Sequence, residues 1–251
     1  MKAIILAAGR GERLRPLTDT IPKPLVPIKG MPLLEYNLLL LKHHGVKEVC
    51  INTSYLAEQI KNRFGDGSNL GINICYSFEK ELLGTSGALN NFRDKLNETF
   101  YVIYGDNLTD IDLTKFLEYH RNKGGIATLA VRKKEKEYKT QSLIFADDDF
   151  KITTFLEKPT EEQVRLSVLE DFKLINSGIY ILEPKIFNYI PSGFSDFAYD
   201  IFPKLIESGL GVYAFIMNDY YFREVGKIEK YEIAKGEIES GKIKLNFIKN
   251  G

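Results

Sequence analysis

The stretch LAAGRGERLRPLTDTIPKPLVPIKG, residues 6–30, decides how the rest of the chain is read. It grows out of the apolar run Ala3-Ile4-Ile5-Leu6, which predicts a buried strand over residues 2–7. Five fixed cations follow, Arg10, Arg13, Arg15, Lys23 and Lys29, among four prolines, Pro16, Pro22, Pro24 and Pro27. Like charges crowded on one loop repel each other, so the crowding implies an anionic ligand. Gly9 and Gly11 let the backbone turn sharply and approach that ligand with no Cβ in the way. Their amides suit a concave anion site. Arg13 and Arg15 bring forked donors matched to phosphate oxygens, and Lys23 a compact charge. The prolines restrict the backbone and reduce the entropy lost on closing around a ligand. A plain glycine turn followed by a surface loop is the alternative. The full spacing, GxGxRxRP and then PKP, favours phosphate.

Working outward, strands over 46–52, 72–78, 100–104 and 126–132 alternate with helices over 33–44, 56–64, 86–96 and 113–123. Repeated strand–helix–strand units predict an α/β fold: a Rossmann-like, mixed but mostly parallel sheet with helices on both faces. Ligands of such sheets bind beyond the carboxyl ends of the strands. The second half reads as a hairpin of 142–146 with 151–156, strands over 172–182 and 212–216, and a helix over 228–238. The run RKKEKEYK at 132–139 reads as a solvated loop.

Composition narrows the function. The chain has 251 residues, 44% of them apolar, which supports a single domain over 1–251. Lysine plus arginine equals aspartate plus glutamate, 34 against 34, so no global field draws the protein to nucleic acid or a membrane. Six apolar residues before Gly9 are too few for a signal sequence, and no later segment suits a membrane span. Cys50 and Cys75 sit in apolar strand-like runs and read as free thiols in a reducing cytosol. The expectation is a cytoplasmic protein. His43, His44 and His120 lie near helix ends and read as surface histidines favoured by helix dipoles. The absence of a Cys/His cluster argues against zinc.

The opening loop resembles the signature loop of the sugar-1-phosphate nucleotidyltransferases, G-x-G-x-R-L-x-P followed by PKP. The local match points to the branch that includes mannose-1-phosphate and heptose-1-phosphate guanylyltransferases. The resemblance continues along the chain. EKELLGTSGAL (79–89) is similar to the family's nucleotide-binding segment, and YGDN (104–107) to its strand-end motif. FLEKP (155–159) resembles its sugar-phosphate motif and INSGIYIL (175–182) its sugar-binding strand. FAYDIFPKLIESG (197–209) and YFREVGKIEKYEIA (221–234) match its closing segments.

These motifs also have a reading from the residues themselves. Asp106 follows an apolar strand and a glycine, so its carboxylate falls at the carboxyl end of the sheet, where a hard oxygen can hold Mg²⁺ against phosphates. Asp110 and Asp112 are better placed to cap the next helix. Glu157 can accept hydrogen bonds from sugar hydroxyls and Lys158 can pair with a phosphate. Asn176 and Gly178 also fit a strand carrying a bulge.

The resemblance implies an enzyme that condenses a nucleoside triphosphate, GTP by the local match, with a sugar-1-phosphate. The products are an NDP-sugar and pyrophosphate. It implies a nucleotide-binding part over about 1–132 and a sugar-phosphate-binding part over about 133–251. Arg13, Lys23 and Asp106 would be catalytic. Leu6, Ala8, Gly9, Gly11, Gly84, Thr85 and Gly105 would line the nucleotide, and Glu157, Lys158, Asn176 and Gly178 the sugar phosphate. Asp106 and Glu224 would hold Mg²⁺, and a homo-oligomer is left open. One departure stands out. The family's W-x-D-x-G becomes Phe222-Arg223-Glu224-Val225-Gly226, so a glutamate occupies the second ligand position. Asp219 is a poor substitute, because alternation along a strand points it away from the face of position 224. Uridylyl, thymidylyl or cytidylyl transfer to another sugar is the rival chemistry. An idle, nucleotide-sugar-sensing subunit is the rival of another class.

Overall fold

A computed structural model describes residues 1–133, 142–166 and 174–248. In chain order its strands and helices are β1 (Lys2–Leu6), β2 (Pro27–Ile28), β3 (Met31–Pro32), α1 (Leu33–His43), β4 (Glu48–Thr53), α2 (Ala57–Phe64), β5 (Asn73–Phe78) and α3 (Gly84–Gly87). Then come β6 (Phe100–Tyr104), β7 (Asn107–Thr109), α4 (Leu113–Lys123), β8 (Ala127–Lys133), β9 (Leu143–Ala146), β10 (Ile152–Leu156) and α5 (Glu161–Leu166). Last are β11 (Leu174–Leu182), α6 (Phe202–Glu207), β12 (Val212–Ile216), β13 (Phe222–Glu224) and α7 (Ile228–Glu239). Counting described residues only, Met1–Leu82, Asp94–Leu113 and Tyr220–Gly251 form one compact unit, and Leu83–Arg93 with Thr114–Asp219 a second.

In the first unit β1 pairs in parallel with β4 on one side and β6 on the other, and β4 pairs in parallel with β5. The strand sequences are apolar on both faces: Ala3, Ile4, Ile5, Val49, Ile51, Val102 and Ile103 are fully buried, as parallel strands covered on both sides require. Helix α1 follows the same logic, with five of its leucines buried. It ends where Gly45 takes φ 78°. There Gly45 N–H bonds the Lys42 carbonyl and Val46 N–H the Leu41 carbonyl, satisfying the last helical acceptors. Cys50 and Cys75 face each other across β4 and β5 as free thiols, 3.0 Å apart, Cys50 buried and Cys75 half-buried.

In the second unit β8 pairs antiparallel with β11 and parallel with β12, while β11, β9 and β10 continue antiparallel. The expected hairpin of β9 and β10 is present. Tyr180, Phe197 and Phe202 form an aromatic cluster in this unit, with ring centroids 4.9–5.3 Å apart. Residues 172–173 of the expected strand, and 134–139 of the charged run, lie outside the described residues.

Two expectations need correction. The helix expected over 86–96 is a single α turn, α3, followed by a 3₁₀ stretch at Ala88–Phe92. The amides of Ser86 and Gly87 both bond the Ser195 carbonyl, which caps that first turn. His120 is no surface residue: it is 2% exposed, with Nδ1 2.7 Å from Thr128 Oγ1 and Nε2 3.0 Å from Glu183 Oε1. Among the described residues no helix is long and apolar enough to cross a membrane.

Candidate active site

The order of strands marks the site. From β1 the chain moves outward through β4 to β5, then returns to place β6 on the opposite side of β1. The strand order therefore reverses at β1, the kind of point at which open α/β sheets take ligands beyond the carboxyl ends of their strands. Leu6 ends β1 and Tyr104 ends β6, directly opposite each other. Gly105 N–H bonds the Leu6 carbonyl at 2.9 Å, and a Cβ at Gly105 would sit 2.9 Å from that oxygen. Only glycine lets the two strand ends approach this closely.

The loop after β1 is anchored in the core by its apolar side chains. Leu14, Val26 and Ile28 are fully buried with Leu33, Leu108, Val225 and Tyr231 in one cluster. Tyr36 and Tyr231 donate hydroxyl hydrogen bonds to the Ile28 and Pro27 carbonyls, each at 2.8 Å. Its start is pinned by a buried relay. Asn52 Oδ1 accepts the Ala7 N–H, and Asn52 Nδ2 donates to Glu79 Oε1, both at 2.8 Å. The cations thus ride on a stiff frame. Ala8 is buried, while Gly9 is open to solvent.

Lys23 and Asp106 meet within this frame, Nζ to Oδ2 at 2.5 Å, with side chains 14% and 19% exposed. Burial pushes the Asp106 carboxyl up, but the Lys23 ammonium and its hydrogen bond, helped by Arg13, outweigh it and hold the group below the usual carboxylate range. Gly11 sets the approach. Its φ is 70°, and a Cβ there would lie 2.9 Å from Lys23 Cβ and 3.1 Å from Thr18 Cγ2. Thr18 Oγ1 donates to the Gly11 carbonyl at 2.8 Å.

Glu224 arrives from the other side. Strand β13 pairs antiparallel with β7, setting Glu224 opposite Asn107, and Val225 N–H bonds the Asp106 carbonyl at 2.7 Å. Asp106 and Glu224 are therefore one residue apart in register across the ribbon. The ribbon is fixed by Thr109 and Asp110, which bond the Tyr221 carbonyl and amide at 2.7 Å. Arg223 forks onto Glu237 of α7 at 2.9 and 2.7 Å. Glu224 pairs with Lys230 through Oε2 and lies 3.9 Å from Arg13 through Oε1. Two carboxylates, each already balanced by an ammonium, are hard-oxygen donors of the kind Mg²⁺ takes together with phosphate oxygens. The residues fit that ion.

The remaining predicted residues lie in the second unit. Gly84 takes φ 75°, with no room for a Cβ against the Ser195 carbonyl at 2.4 Å. Thr85 donates its amide and hydroxyl to Asp196 Oδ1 at 3.0 and 2.8 Å, and its hydroxyl accepts the Phe197 N–H. Glu157 accepts the Ser142 hydroxyl. Lys158 is exposed at φ 46°. The expected bulge is present: the β11–β8 register shifts between Asn176 and Tyr180, and Gly178 takes φ 67°. Asn176 closes it, accepting the Gly178 N–H at 3.1 Å and donating to the Tyr180 hydroxyl at 2.8 Å.

Sequence reasoning missed Asn52, Glu79, Arg223, Lys230 and Glu237. Their partners lie 6 to 45 residues away in the chain, and no motif spacing announces them.

Residues 2–241 match the family model described as Nucleotidyl transferase. The chain is 42% identical over 258 residues to a UTP–glucose-1-phosphate uridylyltransferase of Synechocystis sp., covering 97% of this chain and 65% of that protein. It is 32% identical over 246 residues to a mannose-1-phosphate guanylyltransferase of Mycobacterium tuberculosis, covering 95% and 65%. The chain thus spans 65% of the length of each of these relatives. Among solved structures, HddC from Yersinia pseudotuberculosis superposes with a TM-score of 0.77 at 29% identity, over 94% of this chain and 99% of that one.

Proposed function

The chain belongs to the nucleotidyl transferase family, and from that premise we propose that it is a sugar-1-phosphate nucleotidyltransferase. An oxygen of the sugar-1-phosphate attacks the α-phosphorus of a nucleoside triphosphate. A new P–O bond forms, the α–β bond breaks, and pyrophosphate leaves. The observation that carries this reading is the Lys23–Asp106 pair at the carboxyl ends of β1 and β6, with Arg13 and Glu224 beside each other.

Each residue has a part. The loop of Leu6, Ala8, Gly9 and Gly11, with Gly105, receives the nucleotide along its backbone. Gly84 and Thr85 shape the turn proposed to meet the base. Arg13 neutralises charge building on the leaving pyrophosphate, and Lys23 faces the triphosphate. Asp106 and Glu224 would hold Mg²⁺, which supplies charge neutralisation at the phosphates. Lys158 orients the acceptor phosphate, while Glu157, Asn176 and Gly178 form the sugar's side of the site. No covalent intermediate is required; positioning supplies much of the acceleration.

The local motif match supports GTP with a mannose- or heptose-1-phosphate. A second reading, UTP with glucose-1-phosphate, is favoured by the 42% identity to the Synechocystis uridylyltransferase. Pyrophosphate release from four NTPs against mannose-, heptose- and glucose-1-phosphate separates the two. Lys158→Ala should raise KM for the sugar-1-phosphate more than for the NTP. Equal effects on both substrates would remove Lys158 from the acceptor site.

A further inference from the structure

Glu224 has a partner that its motif does not call for. Lys230 stands in the first turn of α7, and its ammonium takes Oε2 of Glu224. The other oxygen, Oε1, lies over Gly226, where a Cβ would come within 2.5 Å of it. The carboxylate is thus folded back along the Val225-Gly226 turn toward the helix. Arg13 stands 3.9 Å from Oε1. Glutamate's additional methylene has a use here, because it lengthens the arm that spans from the end of β13 to α7. The side chains of Lys230 and Glu224 are 35% and 31% exposed, so water and ions reach the pair.

We infer that Lys230 is a positioning residue: an internal cation that occupies Glu224 before a divalent metal does, and so weakens metal binding in the free protein. The inference rests on Glu224 being a metal ligand. Two effects act in the same direction. A metal ion must displace the ammonium from Oε2, and it must then sit beside a like charge. The partner carboxylate differs, because Asp106 and Lys23 are both largely buried while the Glu224 pair is half-exposed. Glu224 is therefore the carboxylate at which the competition is most readily won by a metal. The substrate's phosphates, with their own negative charge, would complete the exchange. Metal would then bind far more tightly with NTP present than alone.

Mn²⁺ binding to the substrate-free protein, followed by electron paramagnetic resonance, reads this without turnover. Lys230→Met keeps the stem that packs on the helix and removes the charge. It should tighten Mn²⁺ about two- to fivefold, the scale of one half-exposed ion pair. Lys230→Arg, which retains the pair, should stay near the wild type. Glu224→Gln should weaken binding, and adding Lys230→Met to it should restore little. Thermal unfolding checks that each variant is folded; Lys230→Ala serves if the methionine variant is not. If Glu224→Gln weakens Mn²⁺ but Lys230→Met changes nothing, the inference fails and the metal assignment stands. Equal tightening in both backgrounds would make Lys230 a general repulsive charge and overturn the pairing. Unchanged binding in Glu224→Gln would overturn the metal assignment itself.

Discussion

Gly11 carries two constraints at once: a left-handed backbone and the passage of Lys23 against its missing Cβ. An alanine there costs about 1–2 kcal/mol in backbone strain alone, and it pushes Lys23 off Asp106. Gly11→Ala should therefore lose activity beyond what its lower melting temperature explains. Full kcat in a folded Gly11→Ala protein would show that the Lys23–Asp106 geometry does not matter. Lys23→Ala is the direct test of the charge. A cation facing the reacting phosphates is used most in the transition state, so kcat should drop roughly a hundredfold or more. The fold should survive, because the buried anchors of this loop are Leu14, Val26 and Ile28 rather than Lys23. Near wild-type turnover would remove Lys23 from the chemistry.

The signature loop, α7 and the β7–β13 ribbon are the elements that hold these charges in place. Reading the loop as a solvent-exposed strap would miss that its leucine and valine are core. Leu14→Ala should cost about 2–5 kcal/mol of stability, as fully buried leucines do, while Arg13→Ala, 63% exposed, should cost almost none. Denaturant unfolding of the two variants distinguishes a packed loop from a tethered one. The fork from Arg223 to Glu237 tethers the ribbon to α7. Hydrogen bonding from Arg223 is the main influence holding the Glu237 carboxyl below its usual range; burial opposes it and Tyr221 assists. A depressed carboxyl stabilises the fold above its unfolded pKa and loses that contribution as pH falls through the folded value. Glu237→Gln should thus be roughly 1–3 kcal/mol less stable at pH 7. The gap should close as acid protonates the wild-type group. A gap that persists undiminished in acid would assign the effect to packing instead.

These elements also show where the sequence is legible. β1, β6 and α4 follow from local periodicity, and so does the place of Asp106 just past β6, while Gly11 and Lys23 lie in the loop after β1. The helix expected over 86–96 is instead one α turn and a 3₁₀ stretch, and Ser195 and Asp196, more than a hundred residues away, cap its first amides. Strands β7 and β13 are three residues each, too short to carry a period. His120 looked like a helix-end surface residue until Thr128 and Glu183 closed over both ring nitrogens. Lys230 reads as one more charge on a helix face, and only the fold turns it toward Glu224.

At the scale of the whole molecule, the chain leaves its first unit after Leu82, returns at Asp94, leaves again after Leu113 and rejoins at Tyr220. Arg13, Lys23, Asp106 and Glu224 all belong to that first unit, though Arg13 and Glu224 stand at opposite ends of the sequence. Glu157, Lys158, Asn176 and Gly178 belong to the second. Gly84 and Thr85, proposed for the nucleotide, also belong to the second. The measurement that bears most directly on this account is a mass balance on the purified chain. With Mg²⁺, the productive NTP and its sugar-1-phosphate, it should release one pyrophosphate for each NDP-sugar formed. Omitting the sugar-1-phosphate should stop both. Pyrophosphate released from the NTP alone at the same rate, or no turnover with any pair by a folded protein, would contradict it.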